Sequence, residues 1–212
     1  GMCYEDGQGV EQDYLKAIEY YEQSAELNNS DAFTYLIDLY VNGHGIHRNN
    51  KQDEKYFSQY CEKLAKSNNS DDLNKLGIFY CFGLYAEQDY LKAKNYFERS
   101  AQLNNSNAFI LLGELYENGY GVEINYKLAK EYYEKSAQLH NSFAFIGLGD
   151  LYKNGHGVKQ NYKLAKEYYE ESAKLNNSFA FICLGILYEN GYGVEQNYLK
   201  AKEYYELSAK QN

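Results

Sequence analysis

Four histidines and four cysteines are the side chains of this 212-residue chain best suited to chemistry. Nucleophilic catalysis needs a nucleophile, a base and an orienting acid within reach of one another. Cys3, Cys61, Cys81 and Cys183 are separated by 58, 20 and 102 residues, which matches no zinc pattern. They read as small buried hydrophobes. No His-Glu-x-x-His occurs. His44 and His156 each stand between two glycines, in a slot that Gln8, Tyr120 and Tyr192 also fill, so it reads as solvent-facing. His140 takes a position where other segments have Asn. His47 beside Arg48 is the one locally unusual pair, and an anion such as phosphate is the ligand it would suit. The Gly-x-Gly turns lack the third glycine, the lysine and the preceding strand of a phosphate loop. The sequence therefore reads as non-catalytic, with no cofactor and no metal.

These residues are held by a repeated frame. Gly119, Gly155 and Gly191 stand 36 residues apart. A unit of that period signals a stack of like elements. In Asn107–Asn118 the apolar or small residues Ala108, Phe109, Leu112, Gly113, Leu115 and Tyr116 form a helical stripe. Gly119-Tyr120-Gly121-Val122 lets the chain stop and reverse. A second helix carries Leu128, Ala129, Tyr132, Tyr133, Ser136, Ala137 and Leu139, with Asn125 as its N-cap. Asp13, Asp89, Asn161 and Asn197 hold the same cap position. On its wet side Lys127–Glu131 and Glu131–Lys135 are expected to pair. Tripeptides such as Asn104-Asn105-Ser106 and Asn176-Asn177-Ser178 close the units. There an Asn takes the left-handed position and the Ser is expected to cap the next helix. The Asn-x-Ser pattern is thus better explained by helix ends than by glycosylation.

Leu112-Gly113, Tyr116, Gly119, Gly121-Val122, Lys127, Ala129, Tyr133 and Ser136-Ala137 resemble the Sel-one-like repeat (SLR), a relative of the tetratricopeptide repeat. The likeness covers nearly the whole chain. It implies an all-α, right-handed α-solenoid (superhelix) of about five and a half helix-turn-helix repeats of 36 residues. The expected single domain spans 1–212, with a partial repeat 1–30 and repeats 31–70, 71–106, 107–142, 143–178 and 179–212. The unit 31–70 departs from the pattern: Ile37 takes the glycine position, Phe57 the alanine position, and an insertion makes His44–Asp53 a longer loop. In 71–106, Asp72 replaces the alanine and Tyr85 the second glycine. The chain stops after a second helix without a polar cap, so another copy or further sequence is expected to cover an end.

The formal charge is −9 and the pI about 5.0. A nucleic-acid or anionic-membrane partner would need a basic face. No apolar run is long enough to span a bilayer, and GMCYEDGQGV shows no signal-peptide pattern. Some secreted relatives staple each repeat with a cysteine pair. These repeats lack it, so a reducing, cytoplasmic setting is expected.

Once packed positions are removed, the first helix keeps a second stripe, spaced three, four, three. In the resembling solenoids that face lines a concave groove. Its columns run Asp31, Asp71, Asn107, Phe143, Phe179; then Thr34, Asn74, Ile110, Ile146, Ile182; then Asp38, Ile78, Glu114, Asp150, Ile186; then Val41, Cys81, Glu117, Lys153, Glu189. Phe143 and Phe179 read equally as core or groove, while Ile146, Ile182 and Ile186 read as groove anchors. Asp38, Glu114 and Asp150 form an acidic row that would steer a basic segment. The partner-binding set is therefore Asp38, Ile110, Glu114, Phe143, Ile146, Asp150, Phe179, Ile182 and Ile186. Its expected occupant is a protein or peptide with apolar and basic residues. The resemblance implies an adaptor that assembles complexes, as relatives do in bacterial signalling, host interaction and eukaryotic membrane-protein degradation. The alternative it leaves is a secreted or envelope-associated factor for a cell-wall-type or host ligand. An enzyme using His47 or Arg48 is a third reading.

Overall fold

The computed structural model describes residues 1–26, 35, 39, 58, 61–83 and 87–211. All regular structure among them is helical, with no strand. Ten helices have described ends: α1 (Met2–Asp6), α2 (Tyr14–Glu26), α3 (Ser70–Phe82), α4 (Tyr90–Gln102), α5 (Ser106–Asn118), α6 (Tyr126–Gln138), α7 (Ser142–Asn154), α8 (Tyr162–Lys174), α9 (Ser178–Asn190) and α10 (Tyr198–Gln211). Residues 61–66 are helical as well. None of these helices is long and apolar enough to cross a membrane. Asp31, Thr34, Ile37, Asp38, Val41, Phe57, Tyr85 and the segment His44–Asp53 with His47 and Arg48 lie outside the described residues.

The chain divides into two compact units: residues 1–68 with 78–88, and residues 69–77 with 89–212. In the first, α1 lies on α2. The Tyr21 phenol donates to Glu5 at 2.7 Å, and Tyr4 and Tyr20 stack at 5.6 Å. Ala17, Ile18, Leu39, Cys61 and Leu64 are buried in this unit.

The second unit contains the regular hairpins α5/α6, α7/α8 and α9/α10. Each first helix ends on a left-handed glycine, Gly119, Gly155 or Gly191, with φ of 74°, 74° and 69°. The second turn glycine has a different reason. A Cβ on Gly121, Gly157 or Gly193 would come within 2.4, 2.5 and 2.6 Å of the Cβ of Tyr90, Tyr126 and Tyr162. It is there to let the turn of one hairpin lie against the start of the preceding second helix. Asp13, Asp89, Asn125, Asn161 and Asn197 all cap second helices, accepting from the backbone N–H three residues on.

The seam inside each hairpin, between its first and second helix, is built the same way each time. Buried Ser100, Ser136 and Ser172 donate to the carbonyls of Ser70, Ser106 and Ser142 at 2.6, 2.8 and 2.8 Å. Tyr133, Tyr169 and Tyr205 press their rings onto Gly113, Gly149 and Gly185, where a Cβ would sit 2.4 Å from each ring. Tyr133 also meets Gly147 of the next hairpin, so its ring is clamped between two glycines. Burying the Tyr133 and Tyr169 rings contributes about 2–3 kcal/mol each.

Three expectations need correction. The helix-one caps are Asn105, Asn141 and Asn177, whose side chains accept from the next turn; Ser106, Ser142 and Ser178 are the first helical residues. Asn104, His140 and Asn176 take the left-handed position, with φ near 58–59°. The second-helix ion pairs that form are Lys94–Glu98, Lys130–Glu134 and Lys166–Glu170, in place of Lys127–Glu131 and Glu131–Lys135. Lys135 instead lies over the rings of Phe109 and Tyr132. The slot between the turn glycines is not simply solvent-facing: Tyr120, His156 and Tyr192 stack on Tyr90, Tyr126 and Tyr162 at 5.3, 4.6 and 4.8 Å.

Candidate partner-binding trough

The first helices α5, α7 and α9 present the candidate face. A helical stripe spaced three, four, three keeps one side of each free, because the other side is spent on Leu112, Leu115, Leu148, Leu151, Leu184 and Leu187, all 2% exposed or less. Between these helices lies an open hollow of about 410 Å³. Ile110, Glu114 and Glu117 of α5, Phe143, Ile146 and Asp150 of α7, and Phe179 of α9 line it, with Tyr133 and Gly147 beneath.

The two phenylalanines resolve as surface. Phe143 is 57% and Phe179 49% exposed. Ile146 goes the other way: it is 7% exposed and packs with Ala165, Tyr169, Ala180 and Cys183. It touches the hollow only as part of the floor and cannot serve as a protruding anchor, contrary to the sequence reading. Ile110, Ile182 and Ile186 are half-buried, while Asn74 in the same column as Ile110 is buried. Asp150 is half-buried and Glu114 exposed. The hollow thus gathers Ile110, Glu114, Phe143, Ile146, Asp150 and Phe179, but not Ile182 or Ile186.

The carboxylates differ in their surroundings. Glu117 accepts the Tyr133 phenol at 2.7 Å, and its other oxygen lies 3.6 Å from Nδ1 of His156. That Nδ1 is buried and makes no hydrogen bond. Asp150 accepts both the Tyr169 phenol at 2.7 Å and the Lys153 ammonium at 2.5 Å. Burial, then the neighbouring acid, pushes both phenols far up. Glu114 has no such partner. Crowding by the walls of the trough, and then Glu117, raises its carboxyl above the ordinary glutamate range even though water reaches part of it.

Glu117 and Tyr133 were missing from the sequence-predicted set, although a signal for them exists. Second helices carrying Tyr133 and Tyr205 follow first helices carrying Glu117 and Glu189, and each pair is bonded. Where the acid position is Lys153, Tyr169 turns to Asp150, one helical turn earlier. Where it is Cys81, the ring is Phe97, with no hydroxyl to satisfy. Phenol and acid change together along the array.

Among the described residues no group of three or more His, Cys, Asp or Glu is placed to hold a metal ion. Burial pushes the Cys183 thiol up to about 12, so it is a poor nucleophile. The trough presents exposed rings, the half-buried Ile110 and a carboxylate, Glu114, without an ion-pair partner.

The Sel1 repeat family model matches residues 1–29, 70–105, 108–141, 145–177 and 184–212. Among solved structures, a protective antigen of uropathogenic Escherichia coli displaying an SLR fold is 30% identical, with a TM-score of 0.69 over 99% of this chain. The chain spans 44% of the length of that antigen. A Sel1 repeat protein of Oxalobacter formigenes is 28% identical, with a TM-score of 0.73 over 100% of this chain and 85% of its own. An immunity protein of Pseudomonas aeruginosa shares the fold at 24% identity and a TM-score of 0.53, over 76% of this chain and 58% of its own. No curated protein sequence matches the chain.

Proposed function

Since the chain belongs to the Sel1 repeat family, whose members generally act as protein-interaction scaffolds, we propose that it is a non-catalytic adaptor. It captures a segment of a partner protein on the face formed by α5, α7 and α9. The observation that carries this is that Phe143 and Phe179, 57% and 49% exposed, both border one hollow lined by acids. Solvent-exposed aromatic rings rimmed by polar groups are the usual anchors of an interface. The acids around them favour a partner with basic as well as apolar residues. Asp38 extends the proposed acidic row by position alone. The test is capture of displayed peptides by the chain and by a Phe143→Ser/Phe179→Ser variant. The adaptor reading expects capture to fall about tenfold or more in the variant at unchanged helicity. Equal capture would move the site elsewhere.

A second reading, a binding factor facing the envelope or a host, draws support from the likeness to a protective antigen. Fractionating the producing cells tests it: recovery with the envelope or medium supports it, and recovery with the cytosol alone counts against it.

A further inference from the structure

Resting on that docking face, we infer that the captured segment carries an arginine whose guanidinium seats at Glu114, beside Phe143 and Phe179. Three carboxylates line the hollow: Glu114, Glu117 and Asp150. Two are already engaged inside the protein. Glu117 accepts from Tyr133, and Asp150 from Tyr169 and Lys153. Among the described residues, no hydrogen bond or ion pair engages the Glu114 carboxylate; only its backbone carbonyl is used, by Asn118. Lys153, the cation nearest the hollow in sequence, is committed to Asp150 at 2.5 Å. Glu114 is therefore an unpaired charge on a partly enclosed wall beside Glu117, and burial first, then Glu117, raise its carboxyl. A cation arriving with the partner relieves that repulsion.

The aromatic pair narrows the cation. Phe143 and Phe179 both border the hollow and both leave about half their surface open. A guanidinium is flat, stacks on a phenyl face and meets a carboxylate with two parallel N–H donors. An ammonium is more strongly hydrated and makes a point contact only. Ile110, half-buried on the same wall, suits an apolar residue beside the arginine.

The test is selection of random displayed peptides on the full chain, on Glu114→Gln and on Phe143→Ser/Phe179→Ser, each checked for unchanged helicity and a cooperative melt no lower than about that of wild type. Wild type should select peptides with an arginine flanked by apolar residues. On Glu114→Gln the arginine enrichment should vanish while the apolar enrichment stays. A wild-type-selected peptide should bind Glu114→Gln about tenfold more weakly, and its citrulline version should bind both proteins equally weakly. Peptides without arginine enrichment, a preference for lysine, or equal binding to Glu114→Gln would overturn the assignment. If arginine peptides ignore Glu114→Gln but fail on Phe143→Ser/Phe179→Ser, the arginine seat falls and the docking face stands. If neither variant matters, or nothing is selected, both fall.

Discussion

The seam inside each hairpin and the outer face of its first helix are carried by the same elements, α5, α7 and α9, and differ in how they run along the array. In the seam every hairpin repeats one solution: Ser136 and Ser172 donate to the carbonyl 30 residues back, and Tyr133, Tyr169 and Tyr205 lie on a glycine. On the face, apart from the isoleucine column Ile110, Ile146 and Ile182, the residues change from helix to helix. Asn107 gives way to Phe143 and Phe179, Glu114 to Asp150 and Ile186, Glu117 to Lys153 and Glu189. The seam has no room to change, because a Cβ on Gly149 would meet a ring at 2.4 Å. The face is free of that constraint, so its composition is available for recognition. Structure resides in what recurs, and the proposed recognition in what does not.

The hardest blow to that contrast is aimed at the seam. Gly149→Ala should cost about 3 kcal/mol by forcing Tyr169 off its seat. Urea unfolding reads it, and a loss below about 1 kcal/mol would mean that the seam yields more easily than described. Ser172→Ala should cost about 1–2 kcal/mol, because the Ser142 carbonyl loses its donor in a buried setting. Asn141→Ala should cost about 1 kcal/mol as a lost N-cap. It also removes bonds to Ser106 and Asn107 of the preceding hairpin. On the face, Phe143→Ser should change stability by no more than about 0.5 kcal/mol. A Phe143→Ser cost resembling that of Ser172→Ala would erase the distinction.

The smallest expected effect concerns pH. The folded-state pKa of Glu114 is raised. Its contribution to stability is therefore full below the unfolded pKa and is lost as pH rises through the folded one. At neutral pH the ionised side chain is a slight burden. Glu114→Gln should melt no lower than wild type at neutral pH, and the two melting curves should draw together at acid pH. A lower melting point at neutral pH would show that Glu114 holds the fold together.

Much of the fold was legible because short-range rules decide it. The left-handed glycines Gly119, Gly155 and Gly191 and the caps Asn125 and Asn161 each tie one residue type to one backbone conformation. Errors arose where two rules compete within one residue. Asn and Ser both cap helices, and only coordinates show that Asn141 does so and Ser142 begins the helix. Lys127–Glu131 and Lys130–Glu134 have the same spacing, and packing decides which pair meets. The site was less legible because depth depends on neighbours rather than on column. Ile146 and Ile182 occupy equivalent positions, yet Ala180, Cys183 and Leu184 of α9 share a core with Ile146 while Ile182 stays half-open. His156 looked like an interchangeable surface residue until its ring was found stacked on Tyr126, a contact between repeats that no local pattern encodes.

The account rests on the outer face of the first helices being where a partner lies. A photo-crosslinking amino acid in place of Phe143, set against one in place of the exposed second-helix residue Leu199, tests that directly with a selected peptide as probe. The account predicts a peptide adduct at position 143 that excess unlabelled peptide competes away, and none at position 199. An adduct at 199 with none at 143 would contradict it.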